Sequence, residues 1–385
     1  MRIATVLTLC ALCALALVGL IFQQRAAQAA KEPYVIGAVF DITGMGSPLG
    51  TPERDTVQML EKQINAKGGI DGHPIKVIIL DNASEEAKSL TAVKKLIEEN
   101  KVLAIIGPSQ TGTTLAAAAT IEAAKVPMVS CAAGIGIVDP VKPWIFKTAQ
   151  SDVHAVAKVL DYCQTHKLRN IAVISVSNAF GDSGKNQLEL QAKGAKINIV
   201  IEESFGPTDT DMTAQILGIR ARKPDAVVCW GTNPGPAIVA KNMQTLGLKI
   251  PLIMSHGVAN RQFIDQAGAG AEGVVFPAGK LLVAGTLPAS EPQKKVLVQY
   301  AADFTKTYNR SADTFGGHAY DALMLVCKAL DQVGPNRQKI RDALEKMQMV
   351  GISGAFKFSK TDHNGLQKNA FVMVQVRNGN WVLAK

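Results

Sequence analysis

The residues best suited to chemistry lie between Leu103 and Thr120, in the run LAIIGPSQTGTTLAAAAT. Leu103 to Ile106 is a short apolar run that reads as a buried strand, and Gly107-Pro108 stops it. Ser109, Gln110, Thr111, Gly112, Thr113 and Thr114 follow, and Leu115 to Ala119 then reads as helix. A helix start carries unpartnered backbone N–H groups and the positive end of the dipole, so it accepts an anion. Hydroxyls beside it add donors without adding charge. Two readings stand for Thr111 and Thr113: caps of their own helix, each worth about 0.5–2 kcal/mol, or ligand contacts, since four hydroxyls exceed what one cap requires. The spacing Gly107 to Thr114 imitates a P-loop but has Thr where that loop needs Lys, so the cation that reaches the β/γ-phosphates is missing.

Other reactive residues are scattered. The six histidines form no metal cluster, no carboxylate pair is evident, and no Ser/His/Asp set occurs in a plausible order. Beyond the first thirty residues the cysteines are Cys131, Cys163, Cys229 and Cys327, far apart and without C-x-x-C spacing, so neither zinc nor a redox motif is indicated. The spacing leaves open whether any of them pair. Neither a metal nor a cofactor is expected.

The N-terminus reads as an export signal. Arg2 precedes the apolar run Ile3–Phe22, and Ala27-Gln28-Ala29 offers an A-x-A cleavage site, so residues 1–29 are read as a signal peptide and the mature chain as exported to the periplasm. The alternative is an uncleaved anchor. Cleavage removes Arg2 and Arg25, lowering the formal charge from +9 to +7. The basic residues form no stripe with interleaved aromatics, so nucleic acid is not an expected partner.

The elements that must position these residues alternate. Strands are expected at Tyr34–Phe40, Ile75–Leu80, Leu103–Ile106 and Met128–Ser130, with helices at Thr51–Asn65, Ser84–Asn100 and Thr113–Ala124 between them. After a crossing near Phe146–Gln150 the order returns, with strands at Ile171–Val176, Ile197–Glu203, Ala226–Trp230 and Leu252–Met254. Helices near Ser183–Lys193, Asp211–Arg222 and Gly235–Leu246 separate them. Such alternation means parallel sheets flanked by helices, and the length asks for two lobes. The last third is read as a strand at Gly273–Phe276, helices at Gln293–Tyr308, Phe315–Val333 and Asn336–Lys346, and strands at Ala355–Phe358 and Ala370–Val376 joined through the turn Asp362-His363-Asn364-Gly365. The expected fold is therefore α/β, two doubly wound parallel-sheet lobes joined by three crossings near Phe146–Gln150, Phe276–Lys280 and Gly351–Ala355. Lobe 1 takes residues 30–149 and 277–352; lobe 2 takes residues 150–276 and 353–385.

Open parallel sheets bind ligands outside the carboxyl ends of their strands. Two facing sheets make a cleft lined by Asp41–Leu49, Gly107–Thr113 and Cys131–Gly136 from one side, and by Ser177–Asp182, Gly231–Pro234 and Ser255–Val258 from the other. These loops and the strand ends before them offer hydroxyls, amides, the aromatics Phe180 and Trp230, and one ionisable group, His256. An enzyme needs an acid, base or nucleophile beyond that. The cleft is equipped to hold a ligand, and no enzymatic activity is expected.

Several segments resemble the type I periplasmic substrate-binding proteins of the branched-chain amino acid (Leu/Ile/Val-binding) ABC transporter family. They are Ile36-Gly37, Thr43-Gly44-Met45-Gly46, the run Gln63 to Gly72 (QINAKGGIDG), Gly107-Pro108-Ser109, Phe180-Gly181-Asp182 and Ala271-Glu272-Gly273. The resemblance spans the mature chain. It implies a monomeric receptor, not itself membrane-spanning, whose lobes close on a small carboxylate and deliver it to a permease and its ATPase subunits. A tethered sensor ectodomain of the same fold is the alternative. The resemblance also implies that the ligand carboxylate is held by the Thr111 hydroxyl and the amides of Ala132 and Gly134, with Phe180 closing over it; Thr113 stands as a ligand candidate on its place in the hydroxyl-rich loop.

The departures bear on the ligand. Where amino-acid binders place an acid for the α-ammonium, this chain has His256; the first-loop aromatic is Leu49, and a second-lobe Tyr is Thr232. An imidazole is no counter-ion for ammonium. His256 is then either a core histidine bonded to a carbonyl or the mark of a carboxylate without an α-amino group, such as an aromatic or 2-oxo acid. Tyr320 is either an apolar wall of the site or core packing. Asp55, Glu85 and Glu86 are read as helix-start or permease-facing carboxylates without a site role.

Overall fold

A computed structural model describes residues 31–384; the expected signal peptide lies outside the described residues. The chain begins with strand β1 (Tyr34–Phe40), helix α1 (Ser47–Ala66), β2 (Ile75–Asp81), α2 (Glu86–Glu98), β3 (Ile105–Ile106), α3 (Thr111–Ala124), β4 (Met128–Ser130) and β5 (Ile145–Lys147). These strands form one parallel sheet in the order β2-β1-β3-β4-β5. The chain then passes into α4 (Asp152–Thr165), β6 (Asn170–Val176), α5 (Ala179–Ala192), β7 (Asn198–Phe205), α6 (Thr213–Ala221), β8 (Ala226–Trp230), α7 (Gly235–Thr245), β9 (Leu252–Met254), α8 (Arg261–Ala267) and β10 (Val275–Gly279). After these come α9 (Lys294–Tyr308), α10 (Thr314–Val333), α11 (Arg337–Leu344), β11 (Gln348–Val350), β12 (Ala355–Lys357), β13 (Phe371–Arg377) and β14 (Asn380–Leu383). The second sheet runs β14-β13-β10-β9-β8-β6-β7, with β13 and β14 antiparallel at its edge.

The central strands are apolar without alternation because helices cover both faces; β8, for example, is buried at every position from Ala226 to Trp230. Each sheet has its own cores. Ile36, Ala38, Phe40 and Val129 pack with Leu323, Val326 and Leu330 of α10, while Val173, Val228, Trp230 and Ile253 pack against Val156, Val159 and Leu160 of α4. Side chains fix several helix starts, with Ser151, Asn178, Asn260, Asp313 and Asn336 each accepting a backbone N–H of the first turn.

The doubly wound expectation holds, with corrections of detail. Ile145–Lys147, read as crossing, is a fifth strand of the first sheet. Helix α4 went unread, although Ala155, Val156, Val159, Leu160 and Cys163 repeat at helical spacing on its buried face. Strands Ala355–Lys357 and Phe371–Arg377 do not pair. The former pairs with Gln348–Val350, making Gly351–Gly354 a hairpin turn and not a crossing, and the latter pairs with β10. Phe356, Phe358 and Leu366 sit in the first sheet's core beside Phe146, so the chain joins the second sheet at Phe371. All four cysteines among the described residues are buried free thiols.

Candidate ligand-binding site

The carboxyl ends of both sheets face a cavity of about 370 Å³. From the first sheet come the loop after β3 with the start of α3, the loop after β4, the loop after β1 and the start of α2. From the second come the starts of α5 and α7 and the loop after β9.

The anion end is built around α3. Gly107 ends β3 with φ +80, which a side chain rarely tolerates. The next residues turn back so that α3 starts inside the cleft. Thr111, Thr113 and Ala132 all line the cavity. The Thr111 hydroxyl accepts the Gly134 N–H at 3.2 Å, which leaves its own O–H to donate. Beside it, the N–H groups of Thr111 and Gly112 begin the helix and have no intrahelical acceptor. Thr113 has other work: its hydroxyl donates to the Gln110 carbonyl at 3.0 Å and accepts the Gln110 N–H at 3.3 Å, a capping arrangement. The Ala132 N–H is held by Ser130 Oγ at 3.1 Å. Gly134 is outside the lining and supports Thr111 from behind.

Behind this loop lies a pair of acids that sequence reasoning missed. Ser109 Oγ donates to Glu53 and accepts the Asp41 N–H at 3.0 Å. Asp41 takes an N–H from Asn82 at 2.8 Å. Both carboxyl groups are fully buried. Burial raises Asp41 to about 6 and holds Glu53 well above the usual carboxylate range, with the Asp41 charge adding to the shift at Glu53. Ser109 pins Glu53 to the β1 end.

The second lobe supplies an uncharged wall of Val176, Phe180, Phe205, Pro207, Thr232 and Pro234, and Leu49, Met45 and Phe315 face it from the first. His256 lines the cavity within a ring of aromatics: Phe180 at 5.5 Å, Trp230 at 5.9 Å and Phe371 at 5.4 Å between centroids. Burial, with a smaller contribution from the Lys147 charge, lowers its pKa to about 3, so it is neutral. It is not the carbonyl-bonded core histidine of the first alternative. Both ring nitrogens are covered and lack a protein partner, and Nε2 lies 3.9 Å from Asp152 Oδ1, beyond hydrogen-bond reach.

Three expectations change. Trp230, expected on the cleft, is fully buried under α5, where a side chain at Gly184 would strike the indole. Tyr320 does not line the cavity but packs edge-on to Tyr300 at 5.3 Å between the cores of the two lobes; Phe315 and His318 of the same helix line it instead. Glu85 and Glu86, read as having no site role, are on the wall. Glu85 is tied to Lys88 at 2.8 Å, while the Glu86 carboxylate lies against Gly112. Their place at the start of α2, one loop from α3, was the available signal.

Among the described residues no group of His, Cys, Asp and Glu is arranged to hold a metal, and no helix is long and apolar enough to cross a membrane.

The same architecture recurs in known proteins. Residues 33–380 match the family model described as "Periplasmic binding protein". A Leu/Ile/Val-binding protein of Rhizobium johnstonii is 22% identical over 80% of this chain and 82% of its own. An extracellular ligand-binding receptor of Rhodopseudomonas palustris HaA2 superposes with a TM-score of 0.87, at 26% identity, over 91% of this chain and 99% of that one. A solute-binding protein of an ABC transporter from Rhodopseudomonas palustris BisB5, solved with 3,4-dihydroxybenzoic acid, shares the fold at a TM-score of 0.77 and 20% identity over 91% of this chain and 95% of that one. Two parallel sheets facing one cavity, with hydroxyls and helix starts but no catalytic set, fit these relatives. The chain belongs to the periplasmic binding protein family, as a solute-binding component homologous to the Leu/Ile/Val-binding proteins of branched-chain amino acid ABC transporters, and not an enzyme.

Proposed function

We propose that this protein captures a small carboxylate between its lobes in the periplasm and, as a monomer, hands it to a permease driven by ATPase subunits. The carboxylate docks at the start of α3, against the Thr111 hydroxyl and the N–H groups of Thr111 and Gly112. The ligand body lies against Leu49, Phe180, Thr232 and His256. The observation that carries the reading is the neutral second-lobe wall around His256, which offers no counter-ion for an α-ammonium. An unpaired buried ammonium costs several kcal/mol, so an aromatic or 2-oxo acid is favoured over an amino acid. One observation supports a second reading, an amino acid whose ammonium is held from the first lobe: Glu86 lines the cavity beside Gly112.

A thermal-shift screen with benzoate, 4-methyl-2-oxopentanoate and leucine separates these, because a compound that binds only the folded state raises Tm with its concentration. Stabilisation by either of the first two, with leucine inert, is the expected result. Strong stabilisation by leucine that Glu86→Gln abolishes establishes the second reading instead.

A further inference from the structure

Beyond the cavity, the lobes touch through buried polar groups around Asn260 and Thr314. Asn260 starts α8 on the second lobe, and its Oδ1 accepts the Phe263 N–H at 3.3 Å, closing the helix N-terminus. That bond fixes the amide orientation, so Nδ2 faces outward and donates across the cleft to the Pro48 carbonyl at 3.2 Å, at the start of α1 on the first lobe. Asn233, on the cavity wall, donates its own Nδ2 to Asn260 Oδ1 at 3.2 Å. Asn260 thus accepts twice and donates once, and each group has a single role that fits its neighbour. Pro48 is followed by Leu49, also on the cavity wall. A second strut, from Thr314 Oγ1 to the Ala259 carbonyl at 3.3 Å, joins the adjacent residue to α10.

We propose that Asn260 is a latch: its amide, oriented by Asn233 and by its own helix, holds the lobes together and sets the closed fraction of the protein before any ligand binds. The apparent Kd is the intrinsic Kd divided by that fraction, so the latch is a positioning device for capture that touches no reacting or recognised atom. The inference rests on the proposed lobe closure but not on the ligand class.

The test needs no ligand. Nitroxides on cysteines introduced at Leu115 of α3 and Leu190 of α5, both exposed, report the distance between lobes by double electron–electron resonance. The four thiols among the described residues are buried. Asn260→Asp keeps the helix cap and the acceptor for Asn233 while replacing the donor to Pro48 by a carboxylate oxygen; Asn260→Ser keeps a cap without charge or reach. Both are expected to lower the ratio of short- to long-distance populations by roughly three- to tenfold, the worth of one net hydrogen bond, with an unliganded Tm no more than marginally changed. Equal distance distributions in the three proteins overturn the proposal. A wild-type distribution with no short-distance population also overturns it, because nothing is then held closed. Failure of every carboxylate in the thermal-shift screen, with the distance shift present, counts against the ligand reading alone.

Discussion

In the proposed site Thr111 meets the carboxylate with a hydroxyl whose acceptor side is already used by Gly134. Its O–H therefore has one free direction, toward the cavity. Thr111→Val removes that donor and strips Gly134 of its acceptor. A hydrogen bond to a charged group contributes roughly 1.5–3 kcal/mol, so the variant should bind whichever carboxylate stabilises the wild type about ten- to a hundredfold more weakly by titration calorimetry. Thr111→Ser should bind within a few-fold. Valine binding as well as threonine would move the site elsewhere. Of the residues expected to hold a carboxylate, Thr111 was legible because strand, turn and hydroxyl-rich helix start are sequential. The support from Gly134 was not: it depends on two separate loops meeting in space, which no local pattern encodes, whereas the Thr113 cap on Gln110 is local and was one of the two readings the sequence offered. His256 was legible as an oddity of type, but its neutrality comes from burial among Phe180, Trp230 and Phe371, which lie far apart in the chain.

At the scale of elements, the β3–α3 turn depends on the buried acids behind it. Ser109 ties Glu53 of α1 to the end of β1. Ser109→Ala leaves Glu53 and the Asp41 N–H without that partner, at about 1–3 kcal/mol for a buried group left unsatisfied. Denaturant titration should show that loss, and carboxylate affinity should fall with it. A stability within about 0.5 kcal/mol of wild type would mean the turn stands without this support. Asp41 adds a pH dependence. Its pKa is raised from 3.8 to about 6, so between those values the native state holds a proton the unfolded chain has released. Stability then falls as pH rises from about 4 to about 6. Asp41→Asn cannot titrate, so from pH 4 to 6 its Tm should decline less than the wild type's; identical slopes would show that Asp41 is ionised throughout. The alternation of strands and helices was readable because each parallel strand is a continuous apolar run. The end of the chain was not, since β12 and β13 have the composition of a hairpin but are drawn to different sheets by Phe356 and Val374.

Over the whole molecule, three passages of chain connect the lobes: Lys147 to Asp152, the end of β10 at Gly279, and Gln367 to Phe371. Side chains gather around the first. Lys147, fully buried, donates to the carbonyls of Ala133 at 2.9 Å and Ala149 at 2.8 Å. Gln150 reaches the Ser353 carbonyl at 2.7 Å, and Ser353 Oγ meets His318 Nδ1 at 2.9 Å on the cavity side. Such a tied edge resists shear but allows rotation, and the lobes meet again through the polar contacts at Asn260 and Thr314. A hinge of a few residues absorbing φ/ψ change is the expected motion. A compact chain of this size has a radius of gyration of about 20 Å; a protein whose lobes swing apart exceeds it. Small-angle scattering should therefore give a larger radius without ligand, and a decrease on adding the compound that raised Tm in the carboxylate screen. A radius unchanged by a compound that demonstrably binds would mean that the lobes are fixed and that the ligand enters through side-chain motion at Phe180 and Leu49. The same measurement on Gln150→Ala keeps hinge and latch apart, because loosening the tied edge should broaden the open ensemble while leaving the Asn260–Pro48 contact available to the closed one.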